Sequence, residues 1–174
     1  MEATLLQRNW IITGALAGIL ASILYPVLYY SDFHIKIALS IGLIFALSIG
    51  LVSYGIFQFA SLHKNCISLQ SAVTIGIMAA FAFGLKLSIG MALKTPLEGI
   101  LVQGDQSFVY TLTKRIHFGL GFFWDVLISI SIFTFSIAFL YQPRPGKVIS
   151  AIGFLTALII LIFSIYSFPE MSIC

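Results

Sequence analysis

Two charged residues of opposite sign lie inside apolar stretches of this sequence, and they are its clearest candidates for chemistry. Lys86 follows the segment "AAFAFGL", and Asp125 follows "HFGLGFFW". A charged side chain at the centre of a transmembrane helix costs about 2.5–3.5 kcal/mol on insertion scales, so it needs a partner or water. Both residues are therefore candidate functional sites.

The elements that must position these charges are apolar stretches long enough to cross a bilayer. The chain has 174 residues, of which 60% are hydrophobic and 9% charged, and its mean hydropathy is +1.08. Soluble domains average about 25% charged residues, so most of this chain must have lipid as its solvent. We predict an all-α, polytopic transmembrane helical bundle that forms a single integral membrane domain over residues 1–174. Its five predicted spans are residues 9–30, 37–62, 69–93, 116–141 and 148–168.

Counting along these spans puts Lys86 and Asp125 at one depth. Lys86 lies seven residues before the end of the third span at residue 93. Asp125 lies nine residues after the start of the fourth span at Ile116. At about 1.5 Å per residue, both lie about 10–14 Å below the same interface. Consecutive antiparallel helices are usually neighbours, so we predict an intramembrane ion pair between Lys86 and Asp125. The pair would either fix the packing of the two helices or line a polar cavity.

Hydroxyl side chains add to the polarity of the fourth span. They either line a polar path near Asp125 or donate to the carbonyl oxygen four residues earlier in the same helix. The residues are Ser129, Ser131, Thr134 and Ser136.

Small residues recur every four positions along the third span, and we call this set the small-residue ladder. Joining helices in lipid gains no hydrophobic free energy, so close backbone approach over small residues drives their association. The ladder predicts either a seam within the chain or a seam between subunits. Its members are Ala72, Gly76, Ala80, Gly84, Ser88 and Ala92.

No recognisable catalytic or metal-binding motif accompanies these features. The sequence has no HExxH, CxxC or GxSxG pattern and no phosphate-binding loop, so we expect no catalytic residues, metal or cofactor. The net charge of +3 is scattered, and no basic block is present that would bind nucleic acid. Cys66 and Cys174 fall on opposite sides of a five-span bundle, which excludes a disulfide between them.

The last two spans carry three short features: a Trp-Asp pair within a helix, a Pro-x-x-Gly turn, and an apolar helix that ends in Phe-Pro. The residues are Trp124, Asp125, Pro143, Gly146, Phe168 and Pro169. In these features the chain resembles a group of uncharacterised bacterial multi-pass inner-membrane proteins. The resemblance implies a bacterial cytoplasmic membrane protein, and the group has no established activity to carry over.

Orientation depends on the basic residues next to the spans. Four lysines or arginines fall on each side of the membrane. Three of those on the C-terminal side, Lys94, Lys114 and Arg115, belong to the long separator 94–115, and long loops weigh less in the positive-inside rule. We therefore predict a cytoplasmic N-terminus.

Two functions fit this pattern. The first is a non-enzymatic membrane protein that acts by forming a homo-oligomer or by joining other membrane subunits, with the small-residue ladder as its association face. The alternative is a small channel or transporter for ions or protons, in which Lys86, Asp125 and the hydroxyls of the fourth span line a polar path. In both cases the lipid bilayer is the surrounding partner.

Overall fold

Five long α-helices make up the structure, as the sequence predicts. The computed structural model describes residues 4–30, 35–62, 67–92, 106–142 and 146–167. All five helices are long and apolar enough to cross a membrane. They are α1 (Leu5–Tyr30), α2 (Ile35–Ser61), α3 (Ile67–Ala92), α4 (Gln106–Leu140) and α5 (Gly146–Ser167).

The helices pack mainly against their neighbours in sequence: α1 on α2, α2 on α3, α3 on α4, and α4 on α5. This is an up-and-down arrangement with α3 at its centre. Of the apolar span of α3, 39% is buried inside the bundle, against 17% of the span of α1 and 17% of that of α5. The two outer helices therefore turn most of their surface outward. That surface is suited to lipid.

Helix α1 begins before the predicted span because its first turn carries a capping box. The Gln7 N–H donates to Thr4 Oγ1 at 3.3 Å, and the Thr4 N–H donates to Gln7 Oε1 at 3.1 Å. These two bonds satisfy backbone donors that the first turn of a helix leaves free. The helix therefore starts at Leu5 rather than at residue 9.

Helix α4 begins at Gln106, ten residues before the predicted start at 116. The candidate span of α4 starts at Phe108, and residues 106–115 contain no proline or glycine to end a helix. Lys114 and Arg115 consequently lie on α4 and not in a long loop, which removes the reason for discounting them. The cytoplasmic N-terminus stays a prediction. Residues 94–105 lie outside the described part of the chain.

Glycines close the seams between the helices. A methyl group built on Gly14 of α1 would lie 2.6 Å from the Gly55 Cα of α2, so the two backbones touch. Between α4 and α5, Gly153 leaves room for the Ser136 hydroxyl. Such contacts bring helices together where lipid supplies no hydrophobic drive.

Candidate binding cleft

Lys86 lies in the seam between α3 and α4. Its ammonium is 5.9 Å from the centre of the Phe83 ring, within the range of a cation–π contact. Across the seam it lies over Gly121, where an added Cβ would be 2.9 Å from Nζ. The missing side chain at Gly121 therefore makes the space that the ammonium occupies.

His117 joins the same seam one turn earlier on α4. Its Nδ1 lies 3.0 Å from the Lys86 backbone oxygen. A carbonyl oxygen only accepts, so Nδ1 carries the hydrogen and donates it. The ring sits on Gly90, whose added Cβ would be 2.7 Å from Cε1. This contact fixes the level of α4 against the end of α3.

Asp125 has a different partner from the one that the sequence predicts. The Ser164 hydroxyl of α5 is placed to donate a hydrogen bond to the Asp125 carboxylate. The charge of Lys86 acts on this carboxylate, but no lysine or arginine nitrogen of the described residues lies within the 4.0 Å of an ion pair. Lys86 and Asp125 thus share one region of α4, a turn apart, without forming a contact pair.

A cleft opens beside Asp125, between α4, α5 and the end of α1. Its volume is about 400 Å³. Pockets for small molecules commonly measure about 300–1,000 Å³ and combine apolar walls with a few polar groups. The residues that line it are Tyr25, Trp124, Asp125, Ile159, Ile160, Phe163 and Ser164.

Trp124 separates this cleft from the apolar core of the bundle. Its ring lies 4.9 Å from that of Phe83, centre to centre, and packs on a buried cluster that includes Ala21, Phe45 and Ala46. The indole N–H is buried and has no acceptor in the part of the chain that the structure describes. An unsatisfied buried donor costs about 1–3 kcal/mol, so this wall of the cleft is held at a cost to the fold.

The cleft lies near the end of the α5 span. Ser164 is two residues before Tyr166, where the apolar span of α5 ends, which corresponds to about 3 Å along the helix. His117 is level with Gly90, the last residue of the α3 span. The span of α4 starts at Phe108, nine residues before His117, so it continues past the level at which the α3 span ends. The depth of Asp125 below the membrane surface stays a prediction.

The small-residue ladder lies inside the bundle over most of its length. An added Cβ on Gly76 would overlap Ser53 of α2 and would lie 2.9 Å from the Ser131 Oγ of α4. Ala72 and Ala80 are 0% and 8% exposed. Of the two interpretations of the ladder, these residues fit the seam within the chain.

The last turns of the ladder are more open. Gly84 packs loosely on Ala46, and Ser88 is exposed, with its hydroxyl donating to the Gly84 oxygen at 3.0 Å. The side chain of Ala92 lies outside the described residues. Among the described ladder residues, Ser88 is the exposed one.

The four hydroxyls of α4 that the sequence singles out, those of Ser129, Ser131, Thr134 and Ser136, are all bonded to backbone oxygens. Ser129, Thr134 and Ser136 donate to the carbonyl four residues earlier, at 2.7 Å in each case. Ser131 donates across the seam to the Ala72 oxygen at 2.8 Å. These hydroxyls are used in packing, and the hydroxyls of the cleft come instead from Tyr25 of α1 and Ser164 of α5.

Ser164 and Tyr25 are the site residues that sequence reasoning missed. A signal for Ser164 existed, because the connection after α4 is short and α5 runs back along it. Asp125 lies 15 residues before the end of α4 at Leu140. Counting the same 15 residues along α5 from its start at Gly146 reaches a position one turn from Ser164, so the two residues are expected at about the same level. Tyr25 carried no such signal, since α1 is remote from α4 in sequence.

Comparisons with protein-family models, with curated proteins and with solved structures found no match for this chain.

Proposed function

We propose that this integral membrane protein binds a small ligand in the cleft between α1, α4 and α5, with Asp125 as the charged contact. One observation carries the proposal: a cleft of about 400 Å³ is lined by the Asp125 carboxylate, which has no lysine or arginine nitrogen of the described residues within 4.0 Å. A carboxylate near lipid costs free energy when no cation contacts it, and charged residues inside membranes commonly belong to binding sites for substrates or ions.

A continuous path for ions through the bundle has less support. The hydroxyls that would extend a path from Asp125 along α4 donate to backbone oxygens at 2.7–2.8 Å. The hydrogen atoms of these hydroxyls are already used within the bundle. The observations therefore favour binding at one end of the bundle over conduction through it, and transport would need a further change in conformation.

Association with other subunits would use faces outside the ladder, since the ladder is largely enclosed. The outer helices offer the most surface, because only 17% of the α1 span and of the α5 span is buried. Exposed apolar residues are equally suited to lipid, and they do not distinguish a partner from the bilayer.

We also propose a place for the protein in the cell: the bacterial cytoplasmic membrane, with the N-terminus on the cytoplasmic side. The first part rests on the resemblance of the last two spans to bacterial inner-membrane proteins. The second part rests on net charge: four basic residues stand against one acidic residue on the N-terminal side, and four against four on the other.

The direct test is a ligand panel scored by thermal unfolding in neutral detergent. The panel contains alkylammonium, alkyl phosphate, alkyl carboxylate and neutral sugar compounds. A ligand that binds only the folded state at about 100 times its Kd adds about 2.7 kcal/mol of stability, which raises Tm measurably. We expect one charged class to raise Tm of the wild type and to lose this effect in Asp125→Asn.

The matched control is Thr74→Val, since the Thr74 hydroxyl is exposed and bonds only to the Gln70 oxygen of its own helix. This variant should respond to the panel like the wild type. If Asp125→Asn does not fold, Ser164→Leu tests the same point by filling the cleft. A panel without any response in the wild type would refute the proposal, and so would equal responses in wild type and variants.

A further inference from the structure

We infer that the ligand of this cleft is a membrane lipid whose headgroup carries an ammonium group. The inference rests on the proposed function and names the ligand class of the same site. Three features of the cleft select this class: the sign of its charge, the aromatic character of its walls, and its direction relative to the membrane surface.

The sign of the charge is negative. Among the lining residues, Asp125 alone carries a formal charge. The ammonium of Lys86 lies over Gly121, one turn before Asp125 on α4, and makes its cation–π contact with Phe83. No lysine or arginine nitrogen of the described residues lies within 4.0 Å of the carboxylate, so it is available for a cationic group, and the buried Ser164 lies beside it. An anionic headgroup would meet repulsion at this position.

Aromatic rings stand beside this carboxylate. Tyr25, Trp124 and Phe163 come from three helices and line the same cleft. An ammonium or quaternary ammonium group is attracted to the face of an aromatic ring, most strongly to that of tryptophan. A carboxylate together with aromatic walls favours an organic ammonium over a metal ion, which would need several oxygen ligands.

The cleft changes from polar to apolar with depth. Asp125 and Ser164 lie near the end of the α5 span, whereas Ile160 is four residues deeper, about 6 Å along the helix. Ile159 and Phe163 are 45% and 66% exposed, so the apolar end is open to the side. A lipid entering from the bilayer would place its headgroup at Asp125 and its chain along α5.

The test uses the fluorescence of Trp124 as a reporter of the bound lipid. The chain has two tryptophans, so Trp10→Phe leaves Trp124 as the single emitter. The protein is kept in dodecyl maltoside micelles, and lipids with identical brominated chains and either an ethanolamine or a glycerol headgroup are added. Bromine quenches tryptophan on contact, so the two titrations compare headgroups at equal chain chemistry.

We expect the ethanolamine lipid to reach half-quenching at a mole fraction about tenfold lower, as one charge-assisted contact would give. The ratio should fall to about one in Asp125→Asn and stay unchanged in the Thr74→Val control. A competition needs no cleft variant: excess unbrominated ethanolamine lipid should restore the fluorescence, and excess unbrominated glycerol lipid should not.

Equal quenching by the two lipids would overturn the inference. So would recovery of fluorescence with free ethanolamine at the concentration at which the lipid acts, because the ligand would then be a soluble amine. In either case the proposed function stands if the thermal panel shows a response that depends on Asp125. A flat thermal panel would instead refute the binding function itself.

Discussion

The two ends of the bundle solve the problem of polar groups in lipid in different ways. In the half nearer the N-terminus, hydroxyls bond to backbone oxygens and pack into the space left by glycines. We call this region the sealed half, and it contains Gly14, Gly76, Ser131, Ser136 and Gly153. In the other half, charged and aromatic side chains surround a cleft. We call it the open half, and it contains Tyr25, Lys86, His117, Asp125 and Ser164.

The difference teaches that polarity alone does not mark a site in a membrane protein. A serine can satisfy its hydroxyl with a carbonyl of its own or a neighbouring helix, so it adds little cost and tightens the packing. A carboxylate has no such internal donor and needs a partner from another helix or from outside the protein. The Ser164 hydroxyl lies beside the Asp125 carboxylate, and the carboxylate also faces the cleft.

The largest expected effect comes from breaking the sealed half at Gly14. In Gly14→Ala the new methyl group meets the Gly55 Cα at 2.6 Å, and a backbone atom cannot rotate away. Overpacking of this kind costs about 1–3 kcal/mol, and we expect the upper part of that range. The free energy of unfolding, measured by denaturation from mixed micelles, reports it.

Gly119→Ala is the matched control, because nothing lies within 4 Å of a Cβ at Gly119. Alanine is favoured over glycine inside a helix by about 0.5–1 kcal/mol, so this variant should be slightly more stable than the wild type. Equal destabilisation by the two variants would show that the α1–α2 seam is not closed at Gly14.

A smaller effect distinguishes the two halves at a single hydroxyl. Ser131→Ala removes the buried bond to the Ala72 oxygen and should destabilise the fold by about 0.6–1.7 kcal/mol, the range found for hydrogen bonds between membrane helices. Ser164→Ala should cost less in stability, since water or a ligand can replace its hydroxyl at the open cleft. It should instead weaken ligand binding in the thermal panel. The reverse order of stabilities would mean that the cleft is the tighter region.

Much of the fold could be predicted from the sequence, because a run of apolar residues of sufficient length has few alternatives to a membrane-spanning helix. The placement of Lys86 and Asp125 on facing helices also follows, since consecutive helices pack side by side. The start of α4 could not be predicted from the limits of the apolar span. A span ends where the lipid ends, whereas a helix continues until its sequence breaks it, and residues 106–115 contain no break.

The candidate site could be predicted only in part, for a related reason. Asp125 stands out by its charge, but residues 121 and 125 lie on one face of α4, and only the packing of three helices decides that Lys86 lies over Gly121 while Asp125 lies beside Ser164 of α5. The cleft itself exists because Tyr25 of α1 comes near α5 without the two helices packing along their length. No local pattern in the sequence records such a gap between helices distant in the chain.

The most direct test of the difference between the two halves is the reactivity of introduced cysteines. Asp125→Cys and Ser131→Cys are each made in a Cys66→Ser, Cys174→Ser background and treated with a membrane-impermeant maleimide in neutral micelles. We predict that the thiol at position 125 is labelled readily, because it lines a cleft near the end of the α5 span, and that the thiol at position 131 is labelled only after unfolding. Protection at both positions, or equal labelling at both, would contradict a bundle with one sealed and one open half.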